Sequence, residues 1–211
     1  MGKYNYCCYK TKEKIKIDGK LDKKVWTKTR SVPMQFPWGE KGDLKQSTAA
    51  KLAWDNKYLY VGFFADDKDI IAIDRGVKGR VWEDDVVEIF INPDPKNNVF
   101  YGFEVNALGY YYDFKEHYKV KCYKKWVAKG IKVASYICKD RYFSVEIAIP
   151  FKCFGKKPKD NTVWKAGIYR IDYNKGREPE YSVWKRPSNK IPYYHRIRGF
   201  GNIIFKEKTS S

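Results

Sequence analysis

Glu88, Glu104 and Asn106 lie in segments whose apolar residues alternate, and alternation sends successive side chains to opposite faces of a strand. In 86–91, Val87, Ile89 and Ile91 share one side and leave Val86, Glu88 and Phe90 on the other. In 100–107, Tyr101, Phe103, Val105 and Ala107 read as core-facing, while Phe100, Gly102, Glu104 and Asn106 point away. If these segments pair through the turn at Asn92-Pro93-Asp94-Pro95, the three polar groups share one face among aromatic rings. Carboxylate and amide groups can hold hydroxyls, and flat rings can cover C–H faces, which is the chemistry a pyranose requires. Arg170 is a further candidate by face, because Ile168, Arg170 and Asp172 oppose Tyr169, Ile171 and Tyr173. It would also partner Glu88, a carboxylate too costly to bury alone. Trp82 precedes the acidic run Glu83-Asp84-Asp85 and Trp184 precedes Lys185-Arg186-Pro187, so both rings are expected at the surface. Trp26, Trp54 and Trp164 sit inside apolar patterns and are expected in the core.

Other chemistries find less support. Asp66, Asp67 and Asp69 could give hard oxygen ligands to a structural Ca2+, although their spacing is not that of an EF-hand and a solvated loop is the plainer reading. The five cysteines include no C-x-x-C and only two histidines accompany them, which argues against zinc. His117 and His195 lack any Ser or Cys nucleophile motif. Glu88 and Glu104 could serve as the acid/base pair of a glycoside hydrolase, but nothing in the pattern positions a water between them.

The elements that must position these residues are strands. Short aromatic and β-branched runs fall at 14–17, 48–54, 58–64, 86–92, 99–106, 109–114, 131–137, 142–149, 163–173 and 202–206, punctuated by turn clusters such as Asp55-Asn56-Lys57. Residues 150–155 fit one helical turn, and no segment carries a sustained 3.6-residue stripe. The expected fold is all-β: an antiparallel β-sandwich of jelly-roll or immunoglobulin-like two-sheet architecture. The chain has 211 residues, 43% of them hydrophobic and 18% aromatic, enough for one core. A single domain over 1–211 is expected, with loose ends at 1–12 and 206–211.

The formal charge is +18, from 34 Lys and nine Arg against 25 acids. Residues 64–94 reverse the sign, with nine acids against four bases, while 114–141 carry nine bases against two acids. A basic β-domain that binds nucleic acid is therefore an alternative. It fails to explain why the acidic stretch coincides with the aromatic candidates. A Lys-dominated excess reads first as solubility. No run is apolar enough for a membrane span or a signal peptide, so two settings are expected: cytoplasmic, or extracellular or periplasmic with a leader absent from this chain.

The ordered motifs bring a family into view. They begin with D-G-x-L-D-x-x-V-W (Asp18 to Trp26), K-L-A-W-D-x-x-Y-L-Y-V-G-F (Lys51 to Phe63) and A-D-D-x-D-I (Ala65 to Ile70). They continue with V-W-E-D-D-V-V-E-I-F-I-N-P (Val81 to Pro93), F-E-V-N-x-L-G (Phe103 to Gly109), V-E-I-A-I-P-F (Val145 to Phe151) and Y-R-I-D-Y (Tyr169 to Tyr173). S-V-W (Ser182 to Trp184) and Y-H-R-I-R-G-F-G-N-I-I-F (Tyr194 to Phe205) close the set. In this order they resemble the family 9 carbohydrate-binding modules, which often accompany xylanases. The resemblance implies a non-catalytic β-sandwich that binds chain ends of xylan, cellulose or related plant glycans, with calcium in some members and a glycoside hydrolase as companion. It also implies that Trp82 and Trp184 sandwich a terminal sugar while Glu88, Glu104 and Asn106 grip its hydroxyls. The xylanase modules carry a basic residue at the position of Glu104, where this chain departs from them.

Overall fold

The computed structural model describes residues 2–37, 44–118, 120–123, 125–175, 178–187 and 193–207. Thirteen strands form among these: β1 (Asn5–Lys10), β2 (Val32–Pro33), β3 (Thr48–Trp54), β4 (Tyr58–Asp66), β5 (Val86–Asn92), β6 (Val99–Asn106) and β7 (Tyr111–His117) in the first half. The second half adds β8 (Lys121–Cys122), β9 (Lys132–Cys138), β10 (Tyr142–Pro150), β11 (Val163–Asp172), β12 (Glu180–Val183) and β13 (Gly201–Lys206). Hydrogen bonds link them in the order β8-β7-β6-β5-β11-β13-β1-β3-β4-β10-β9, with β12 on β11 and β2 on β3. This path curls until its halves face each other. Val61, Phe63, Val145 and Ile147 from one half meet Ile89, Phe103 and Ile168 from the other in the principal core. Trp54 and Trp164 are buried there as expected, both in edge contact with Phe205. No helix among the described residues is long and apolar enough to cross a membrane.

The seam between the halves lies where a loose end was expected. β1 runs parallel to both β13 and β3, pairing Asn5 with Asn202 and Tyr9 with Ala53. Its residues alternate poorly in polarity because strands on both sides, rather than one solvated face, decide their environment. Ile15 and Ile17, expected in a strand, instead pack beside Val25 and Trp26 on the outer face of β3, β4 and β10. Trp26 belongs to the five-residue helix α1 (Lys24–Lys28), too short to reveal a helical period. The expected turn at 150–155 is a 3-10 helix over Phe151–Phe154.

One buried carboxylate holds that outer layer. Glu146 of β10 accepts hydrogen bonds from Asp18 N and Gly19 N at 2.9 and 3.0 Å, from Lys23 Nζ at 2.8 Å and from Trp26 Nε1 at 2.7 Å. Gly19 has φ +84, and a Cβ there would lie 2.3 Å from the Ser135 carbonyl carbon, so the turn tolerates no side chain. Glu146→Ala would leave the indole N–H and two amides without their acceptor. It should lower stability by about 3 kcal/mol, read as a shifted denaturant midpoint with an unchanged m-value. Gly19→Ala should be destabilised in the same assay.

Candidate functional site

The outer face of β7, β6, β5, β11 and β12 carries a second layer. Across it runs one rung of directly paired residues: Val183, Tyr169, Glu88, Glu104 and Tyr112. The next rung brings Phe90 opposite Gly102, and Gly102 opposite Phe114. A Cβ on Gly102 would stand 2.1 Å from the Phe114 ring, so the glycine lets that ring lie flat across β6. Gly167 does the same for Tyr169. The segment 193–200 then folds over the sheet. Tyr194 stacks on Tyr169 with centroids 4.2 Å apart, and His195 stacks on Phe114 at 5.0 Å. The imidazole is fixed by Glu116, with Nδ1 2.8 Å from Oε2.

Between this segment and the Trp82 turn lies a cavity of about 360 Å³. Glu88 and Glu104 form its floor, and Trp82, Tyr112, Tyr193, Tyr194 and His195 contribute to its walls. Trp82 is half-buried and rests edge-on against Tyr112 at 5.2 Å. Glu88 and Glu104 are 2% and 5% exposed, yet Oε2 of each has no hydrogen-bond partner. Burial pushes the Glu88 carboxyl far above the ordinary glutamate range, with repulsion from Glu104 adding to it. Burial also pushes Glu104 up to about 8. Such a pair, placed against aromatic rings with acceptor atoms free, is built to receive donors from outside the chain.

Three of the expected contacts lie elsewhere. Trp184 is 3% exposed and belongs to the principal core: Val183 faces the outer layer, so the next residue in an alternating strand points inward. Its ring lies over Gly201, where a Cβ would stand 2.6 Å away. Trp82 and Trp184 therefore do not face one another. Asn106 is fully buried and consumed by its own turn. Nδ2 donates to Asp84 at 2.8 Å and to the Ile73 carbonyl, and Oδ1 accepts from Leu108 N and Tyr110 N. It supports the loop that carries Trp82. Arg170 faces the opposite side from Glu88, donating to Asp67, Asp172, Thr48 Oγ1 and the Asp66 carbonyl.

The acidic residues gather around Arg170 in a different set from the expected one. Asp67, Asp85 and Asp172 are all buried, and one oxygen of each lies within 4.8 Å of the others. Asp66 bonds Ser47 instead, and Asp69 meets the cluster only through its backbone N–H to Asp67. Burial, with repulsion from Asp67 and Asp172, pushes Asp85 up to about 8, although it accepts from Ile71 N and Tyr173 N. Three carboxylates against one guanidinium leave negative charge uncompensated. An all-oxygen donor set without His or Cys fits a hard cation such as Ca2+.

These observations meet the comparisons with known proteins. Residues 17–208 match the family model described as "Carbohydrate family 9 binding domain-like". The chain belongs to that family. It is a non-catalytic carbohydrate-binding domain. It is 28% identical over 194 residues to endo-1,4-beta-xylanase A of Thermotoga maritima and 27% identical over 194 residues to exoglucanase XynX of Acetivibrio thermocellus. Those alignments take in 89% and 92% of this chain but 16% of each relative, so the family 9 domain spans about a sixth of their length. A crystal structure from Bacteroides uniformis superposes with a TM-score of 0.78 at 19% identity, covering 96% of this chain and 99% of that one. A family 9 module from Caldicellulosiruptor kristjanssonii, solved with cellotriose, gives 0.72 at 16% identity over 97% and 95%. These likenesses confirm the fold.

Tyr112, Phe114, Glu116, Tyr193, Tyr194 and His195 join the cleft without a sequence motif that marks them for it. The usable signal was periodic: Tyr112, Phe114 and Glu116 alternate on the strand beside Glu104, opposite a glycine.

Because folding raises the pKa of Glu104, the folded state holds a proton that the unfolded chain gives up. That stability is fully present below the ordinary value of 4.5 and is lost as pH rises through about 8. Glu104→Gln should therefore flatten the fall of the melting temperature across this window, raising it relative to wild type at the alkaline end.

Proposed function

We propose that the cleft above Glu88 and Glu104 holds one end of a plant glycan chain, a xylan or cellulose fragment, with Trp82 and Tyr112 against the sugar ring and the two carboxylates at its hydroxyls. The observation that carries this is the pair of buried carboxylate oxygens left without partners on the floor of an aromatic cleft. Tyr193 and Tyr194 take the wall that the second tryptophan was expected to supply. Among the described residues the cleft is lined by Glu88, Glu104 and Glu116 and by no Lys or Arg, which supports a sugar over a nucleic acid and leaves the lysines to solubility. The xylanase relatives support a companion glycoside hydrolase and an extracellular or periplasmic setting, where polysaccharide is met. The curled sheet is read as a jelly-roll sandwich.

Calorimetry with xylo- and cello-oligosaccharides tests the reading. Wild type should bind with roughly −4 to −8 kcal/mol, a millimolar to micromolar affinity, and release no reducing sugar. Trp82→Ala should weaken binding by about tenfold or more with an unchanged melting temperature, and Glu88→Gln should also weaken it. Trp184→Ala should instead cost about 3–5 kcal/mol of stability. An unfolded Trp82→Ala, or binding untouched by Glu88→Gln, would remove the site from this cleft.

The Asp67, Asp85 and Asp172 cluster is proposed to hold one structural Ca2+. Chelation should lower the melting temperature and added Ca2+ restore it, and Asp85→Asn should abolish that response. An identical melting curve in chelator, with no metal by elemental analysis, would reject the ion.

A further inference from the structure

We propose that the preferred ligand of this cleft is an amino sugar, a β-linked glycan whose ring carries a protonated amine, gripped between Glu88 and Glu104. The inference rests on the carbohydrate reading above and narrows it to a cationic ligand class.

The argument is one of charge and donor count. Glu88 and Glu104 are direct cross-strand neighbours, each with an unpartnered Oε2, and no Lys, Arg or His among the described residues bonds to either carboxylate. Cations recorded around the rim are engaged: Arg80 pairs with Glu83 at 2.7 Å, and Lys78 pairs with Asp113 at 3.1 Å. The third carboxylate of the cavity, Glu116, is held by His195. A sugar hydroxyl brings no charge, so beside it both buried carboxyls keep their protons and the pair stays neutral. A protonated amine brings three N–H donors and a full positive charge, enough to bond both carboxylates at once. Both carboxyls sit above their ordinary range because burial opposes ionisation, with repulsion from Glu104 adding to it at Glu88. A bound cation reverses that opposition.

The bulk charge of the protein makes the claim discriminating. At +18 the molecule repels cationic ligands at long range, so tight binding of one cannot be non-specific attraction.

Three matched β-1,4-linked trisaccharides differing at C2 provide the test: cellotriose, its N-acetylated amino-sugar counterpart, and the fully deacetylated form. Titrated calorimetrically at neutral pH, the deacetylated trisaccharide should bind about tenfold tighter than the other two. In Glu104→Gln and in Glu88→Gln, with melting curves confirming the fold, the ratio of deacetylated to neutral affinity should collapse towards one. If cellotriose binds as tightly as the deacetylated form, or the ratio survives both substitutions, the amino-sugar inference falls while the carbohydrate site stands. If none of the three binds, both readings fall together.

Discussion

Arg170 is the tie on which the arrangement of the two halves depends at the acidic end. From β11 its guanidinium crosses the core to the ends of β3 and β4, donating to Thr48, the Asp66 carbonyl and Asp67 while also meeting Asp172 on its own strand. Asp85, the residue before β5, closes the same cluster and accepts from Tyr173 N just beyond β11. A buried ion group of this kind is expensive to desolvate and contributes little net stability, but losing one member strands the others. It therefore fixes where β5 begins relative to β11, and with it the height of Glu88 against Tyr169.

From that register the aromatic cleft follows almost mechanically. Once Glu88 is opposite Tyr169 and Glu104, the adjoining rung sets Phe90, Gly102 and Phe114 in line, and the glycine makes room for rings to lie along the sheet. The Trp82 turn is secured from below, with Arg75 bonded to Glu83 and Asp84 and with Asn106 donating to Asp84. Rigid strands thus position the carboxylates, while a turn and the 193–200 segment bring the rings.

Alternation made the floor of the cleft legible in the sequence and the walls only partly so. Glu88 and Glu104 could be placed on one face because a polar residue between apolar neighbours has few alternatives. Trp184 could not be placed that way: its polar neighbours in sequence are not its neighbours in space, and its face is set by β12, a four-residue strand too short to show a period. Arg170 and Asp172 do share one side of their strand, but it is the side away from Glu88, because the register sets Tyr169 opposite Glu88, and which carboxylates Arg170 meets is decided by how the sheet curls. For the same reason Asp85 and Asp172, 87 positions apart, join Asp67 while its neighbours Asp66 and Asp69 do not. β1 is not legible in the sequence because its setting depends on β13, nearly 200 residues away.

The parallel pairing of β1 with β13 has a mechanical meaning. Asn5 aligns with Asn202 and Tyr9 with Lys206, so the chain arrives at one end of this ladder and departs from the other. Tension applied through the two ends of the domain would load every hydrogen bond of the ladder in parallel, as shear, instead of peeling them one by one. The strand pair that joins the two halves is therefore also the one oriented to resist being pulled apart.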